Sequence, residues 1–132
     1  MAFMFEKATS FNQPLGAWNT TNVESMEAMF QNATSFNQPL EDWDTSNVYS
    51  IALMFERDTS FNQPLGAWST ANVVTMEATF RNATSFNQPL EDWDISSAAI
   101  NDIFAGASNL DPEYAADFYK KQHAGDEDDY DY

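Results

Sequence analysis

The segment Ser-Phe-Asn-Gln-Pro-Leu decides the fold, and it occurs four times, at residues 10–15, 35–40, 60–65 and 85–90. Each copy begins 25 residues after the previous one. A fixed period of this length is typical of repeat architectures, in which no unit can bury its apolar side without a neighbour. The sequence therefore predicts a stack of 25-residue units.

Apolar residues outside this segment keep the same period. Because equivalent side chains of stacked repeats lie over one another, we expect aromatic columns that supply much of the apolar burial. The expected aromatic columns are Trp18, Trp43, Trp68 and Trp93, and Phe11, Phe36, Phe61 and Phe86. The same period is kept by Val23, Val48 and Val73 and by Phe30, Phe55 and Phe80.

Two elements are expected in each repeat. The apolar residues within 23–33 recur at helical spacing, and Asn32, Asn82 and Gly106 tolerate the left-handed conformation that ends many helices. Residues 40–45 and their equivalents follow a proline that prevents a helix and favours extended backbone, so we expect a short strand there. The predicted fold class is α/β, a leucine-rich-repeat-like solenoid with one short strand and one short helix per coil.

Three regions are predicted along the chain. Residues 1–110 form the solenoid, with about four repeats and a half repeat at the N-terminus. Residues 111–124 form a capping helix, because Asp111, Pro112 and Glu113 suit the first positions of a helix and an apolar face follows them. Residues 125–132 form an acidic tail that contains tyrosines.

Charge and composition exclude several functional classes. The formal net charge is −16, from 21 acidic residues against 5 Lys and Arg, which disfavours nucleic-acid binding and docking on anionic membranes. No apolar run is long enough to span a membrane, and no secretory signal pattern is present at Met1. The chain has one His, no Cys and no phosphate-binding loop. We therefore expect no enzyme activity, no cofactor and no direct insertion into a membrane.

Acidic residues concentrate in alternate repeats. They stand where the other repeats have Gly-Ala, and this alternation separates like charges along the stack. Charge spacing is one reading, and binding of a hard cation is the other, since carboxylates one residue apart can share such an ion. The cation candidates are Glu41, Asp42, Asp44, Glu91, Asp92 and Asp94.

The tail offers a second candidate binding segment. Carboxylates can steer a peptide toward a basic surface while its aromatic side chains anchor it. The predicted partner-binding residues are Asp126, Glu127, Asp128, Asp129, Tyr130, Asp131 and Tyr132.

A family resemblance covers residues 4–110. The unit Met-Phe-x-x-Ala-Thr-Ser-Phe-Asn-Gln-Pro-Leu-x-x-Trp-x-Thr-x-Asn-Val-x-x-Met resembles that of the BspA-type leucine-rich-repeat surface proteins, whose 25–26-residue unit is also called the DUF285 repeat. The sequence departs from it at Pro14, Pro39, Pro64 and Pro89, where an acidic residue is common. The resemblance implies an extracellular or cell-surface location, adhesion or protein contact, and no catalytic residues.

These observations predict a non-catalytic repeat scaffold for protein–protein interaction or adhesion, on a cell surface or as an accessory subunit. Its partner is expected to be a protein with a basic surface. The alternative is a surface domain that binds cations or carbohydrate through its acidic repeats.

Overall fold

Successive 25-residue repeats lie directly on one another. The computed structural model describes the backbone of residues 1–123 and the side chains of residues 1–120. We take residues 23–47, 48–72 and 73–97 as the three full repeats. Isolated parallel bridges at equivalent positions join them to one another, Ser25 to Ser50 and Ser50 to Thr75, and a third, Thr75 to Ala99, joins the last of them to the residues that follow.

The apolar half of each repeat is a chain of turns and contains no helix. Its amides alternate: that of Met29 bonds Met26 O within the turn (3.2 Å), whereas that of Ala28 bonds Ala52 O in the next repeat (2.8 Å). Ala28 has φ 52°, a left-handed conformation that ends any helix. These overlapping turns, each closed by a bond to the carbonyl three residues earlier, bury Met26, Met29, Phe30 and Ala33, the side chains that a helix would also bury, which explains the misleading spacing.

The predicted strand at residues 40–45 is also absent. The Trp43 amide bonds Leu40 O (3.1 Å), which closes a turn, and the equivalent bond joins Trp68 to Leu65. Within residues 1–123 the structure contains one helix and the three isolated bridges. The predicted α/β leucine-rich-repeat-like solenoid, with a strand and a helix in each coil, is therefore wrong.

The left-handed positions are the part of the local prediction that the structure confirms. Asn32 and Asn82 have φ 60° and Gly106 has φ 74°, but each ends a turn instead of a helix. Arg57 takes the equivalent position with φ 61°. A Cβ at Gly106 would lie 2.1 Å from Asn82 Oδ1, so glycine also leaves room there for the Asn82 side chain of the preceding repeat.

Two phenylalanine columns form the core, as the sequence predicts. In the column through Phe30, Phe55 and Phe80, neighbouring ring centroids are 5.6 and 5.7 Å apart. A second column, through Phe36, Phe61 and Phe86, runs beside the first, and Phe55 and Phe61 are 4.0 Å apart. Both columns are fully buried across the three full repeats, so each ring depends on the repeats on either side.

Tryptophan side chains fix the register between repeats. The indole nitrogens of Trp43, Trp68 and Trp93 each donate a 2.9 Å hydrogen bond to a leucine carbonyl of the preceding repeat. All three rings are buried, whereas Trp18 is 42% exposed. A buried indole whose N–H has one acceptor within reach favours a single alignment of neighbouring repeats.

Helix α1, Pro112–His123, covers the last repeat. Phe118 is 1% exposed and meets Phe104 edge-on, with ring centroids 5.0 Å apart. The Asp111 amide, just before α1, bonds Asn87 Oδ1 (2.9 Å) and so extends a ladder of asparagines that begins at Asn12. The helix is thus attached to the stack through the aromatic column and the amide ladder.

Candidate functional site

The acidic residues predicted as cation ligands are exposed and lie along the outside of the stack. Asp44 Oδ1 accepts hydrogen bonds from the Ser46 hydroxyl (2.6 Å) and amide (2.9 Å), which lower the pKa of that carboxyl. Asp94 makes the same bonds to Ser96. In the described part of the chain, no three His, Cys, Asp or Glu side chains form a group that could hold a metal ion. The predicted partner-binding residues 126–132 lie outside the described residues.

A groove of about 300 Å³ is lined by residues of successive repeats. It combines acidic residues with an apolar floor and one arginine. The residues that line it are Glu27, Ala52, Leu53, Glu77, Ala78, Arg81 and Asp102.

Three residues that line the groove, Leu53, Ala78 and Asp102, stand at left-handed backbone positions. Ala28, Leu53, Ala78 and Asp102 occupy equivalent positions with φ between 52° and 61°. Ala52 and Ala78 are buried, and Leu53 is half-buried between them. Because these three side chains are buried or half-buried, the groove combines apolar surface with the carboxylates that line it.

Arg81, the single arginine that lines the groove, forms an ion pair with Glu56. Glu56 is 2% exposed and lies between Gln31 and Arg81 of the neighbouring repeats. Gln31 Nε2 donates to Glu56 Oε1 (2.5 Å), and the Arg81 guanidinium donates to Glu56 Oε2 through Nε and Nη2. Arg81 therefore neutralises Glu56 and leaves Glu27, Glu77 and Asp102 as the net charge of the groove.

Asp58 is an isolated carboxyl in the core. It takes a position where the neighbouring repeats have Ala33 and Ala83, its side chain is fully buried, and Oδ2 has no hydrogen-bond partner. Oδ1 accepts a 3.2 Å bond from the Ser60 amide. Burial raises the pKa of Asp58 to about 8, against weaker lowering by the Ser60 and Phe61 amides. The carboxyl is thus protonated in the folded protein at neutral pH.

The stability of the protein is expected to fall as pH rises from about 4 to about 8. In that window the unfolded chain has lost the Asp58 proton and the folded chain has kept it. Because the folded chain binds more protons, the free energy of unfolding falls as the pH rises. The Asp58→Asn variant, which mimics the protonated side chain, should remove this dependence. Asp58→Ala should raise the free energy of unfolding at pH 8 by about 1–2 kcal/mol. Urea unfolding across this pH range measures both effects, and a wild-type profile parallel to that of Asp58→Asn would contradict the assignment.

The groove and the polar groups near it were missed from sequence. Three departures from the repeat carried the signal, since Glu56 replaces the Gln or Arg, Arg57 the Asn and Asp58 the Ala of the neighbouring repeats. Departures in consecutive positions of an otherwise regular unit mark a place where side chains meet something other than their equivalents. Glu27 and Glu77 stand at equivalent positions of the 25-residue period, and Asp102 belongs to the adjacent column, so these carboxylates gave no such signal.

Comparison with known proteins identifies the family. Among the described residues no helix has both the length and the hydropathy of a membrane span. Searches of curated proteins and of solved structures each found no match. A family model described as "Mycoplasma protein of unknown function, DUF285" matches residues 1–117. The match spans most of the chain, which therefore belongs to the DUF285 family.

Proposed function

We propose that this protein is a non-catalytic interaction scaffold that binds a basic segment of a partner protein in the groove. The proposal rests on one observation: three carboxylates line the same groove as the apolar residues Ala52, Leu53 and Ala78. Binding grooves are typically apolar with a few placed polar groups, and complementary charge speeds the approach of the right partner.

Charge around the groove supports the same partner. The whole chain carries a formal charge of −16, and the groove's only arginine is already paired with Glu56. Outside the groove lining, Tyr49 and Val74 of neighbouring repeats are 49% and 53% exposed, which gives the protein further apolar surface of the kind found in protein contacts. A partner rich in Lys or Arg would gain from both features.

We also propose the finer family relation that the repeat unit indicates, a BspA-type surface protein whose role is adhesion or contact between proteins. The 25-residue unit itself supports this relation. The leucine-rich-repeat fold is not part of the proposal.

A fluorescent oligolysine peptide at physiological salt tests the groove. We expect Glu77→Gln to weaken binding about two- to fivefold, as for an exposed charge pair. Glu91→Gln removes the same charge from another exposed position and should change the affinity little. Fluorescence anisotropy measures the dissociation constant of the peptide for each variant. Equal weakening in the two variants would show that the peptide follows net charge, and the groove would no longer be the binding site.

A further inference from the structure

The order of residues along the groove places an apolar centre between two acidic ends. Glu27 belongs to repeat 23–47, Ala52 and Leu53 to repeat 48–72, and Glu77 to repeat 73–97. Asp102 follows one position further along the stack and doubles the negative charge at that end. A segment lying along the groove therefore meets negative charge, then apolar surface, then negative charge.

The spacing of the acidic ends follows from the stacking. Repeats joined by parallel backbone hydrogen bonds are about 4.8 Å apart, so two steps separate Glu27 from Glu77 by about 10 Å along the stack. A polyproline II segment has three residues per turn and rises about 3.1 Å per residue, which puts side chains i and i+3 on one side about 9 Å apart. In a strand, by contrast, side chains i and i+3 point to opposite faces.

The backbone of the groove wall has no free edge for an added strand. The amide of Leu53 bonds Glu77 O (3.0 Å) and its carbonyl accepts from the Glu56 amide (3.2 Å). Ala78 is paired in the same way, with Asn101 O (2.9 Å) and the Arg81 amide (3.2 Å). A strand would find no partners here, whereas a polyproline II segment makes no internal backbone bonds and keeps its backbone in water.

Resting on the function proposed above, we infer that the groove binds a polyproline II segment with basic residues at i and i+3 and apolar residues between them. One basic side chain pairs with Glu27 and the other with Glu77 and Asp102. An intervening proline or small apolar residue turns toward Leu53 and Ala78. The preformed segment loses little conformational entropy on binding, which suits a shallow site.

Three peptides of equal charge test the spacing and the conformation separately. The first contains Lys-Pro-Pro-Lys, the second contains Pro-Lys-Lys-Pro, and the third contains Lys-Gly-Gly-Lys. We expect the first to bind at least about fivefold more tightly than the others, a difference of about 1 kcal/mol. The preference should disappear in the double variant Glu27→Gln, Glu77→Gln and persist in Glu91→Gln.

The outcomes separate this inference from the function on which it rests. Equal affinity for the three peptides, lost in the double variant, overturns the polyproline II inference and leaves the groove as a site for basic segments. If the double variant binds all three peptides as tightly as the wild type does, both the polyproline II inference and the proposed function of the groove are overturned. Tighter binding of the Pro-Lys-Lys-Pro peptide than of the Lys-Pro-Pro-Lys peptide overturns the i, i+3 spacing.

Discussion

The Phe55→Ala variant is expected to lose about 3–5 kcal/mol of unfolding free energy. The Phe55 ring is fully buried, stacks on Phe30 and Phe80 at 5.6 and 5.7 Å, and lies 4.0 Å from Phe61 in the second column. Its removal leaves a cavity that neighbouring repeats cannot fill, because their backbones are bonded in register. Urea unfolding monitored by tryptophan fluorescence measures the loss.

Phe5→Ala is the matched control at the end of the same column. Phe5 is half-buried and has one stacked neighbour in the column, Phe30, at 5.6 Å. The same chemical change should therefore cost only about 1–2 kcal/mol. Equal losses at Phe5 and Phe55 would mean that the columns contribute no cooperative packing.

The second large effect is expected at Arg81. The Arg81→Met variant leaves the Glu56 carboxylate, which is 2% exposed, with Gln31 as its remaining side-chain partner. An uncompensated buried charge is strongly destabilising, and we expect a loss of about 2–4 kcal/mol, reduced by the partial exposure of Arg81. Differential scanning calorimetry should show a lower Tm.

Two further variants test the cause of that loss. Arg57→Met removes a guanidinium from an exposed position of the preceding repeat and should shift the free energy by less than about 0.5 kcal/mol. The double variant Glu56→Gln, Arg81→Met should recover much of the stability, because no buried charge remains. Equal losses at Arg57 and Arg81 would assign the effect to net charge instead of the pair with Glu56.

The stacked arrangement was predictable from sequence because identity at a fixed period places equal side chains over one another. Phe30, Phe55 and Phe80 illustrate this, and so does the asparagine ladder, in which the Asn37 amide bonds Asn12 Oδ1 (2.9 Å). The local backbone was not predictable in the same way. Apolar residues at three- and four-residue spacing are buried equally by a helix or by successive turns, and the left-handed Ala28 and Leu53 decide for turns.

The candidate site was less visible still. Glu27 and Leu53 are 26 positions apart, so they are not equivalent residues of the repeat. Both line the groove because the turn brings two adjacent columns of residues together. Asp58 replaces an alanine of the repeat, but its burial and the lack of a hydrogen-bond partner for its Oδ2 depend on the packing around it. Sequence periodicity predicts which residues are equivalent, but it does not predict which columns border a depression.

The backbone bonds between repeats are not balanced in direction. From repeat 23–47 to the next, the amides of residues 26, 28, 30 and 32 all point toward α1, and only the Tyr49 amide points back, to Glu24 O (2.8 Å). Peptide dipoles that share a direction add, as they do along a helix. The backbone bonds between repeats therefore contribute a dipole whose positive end faces α1 and whose negative end faces residues 1–7.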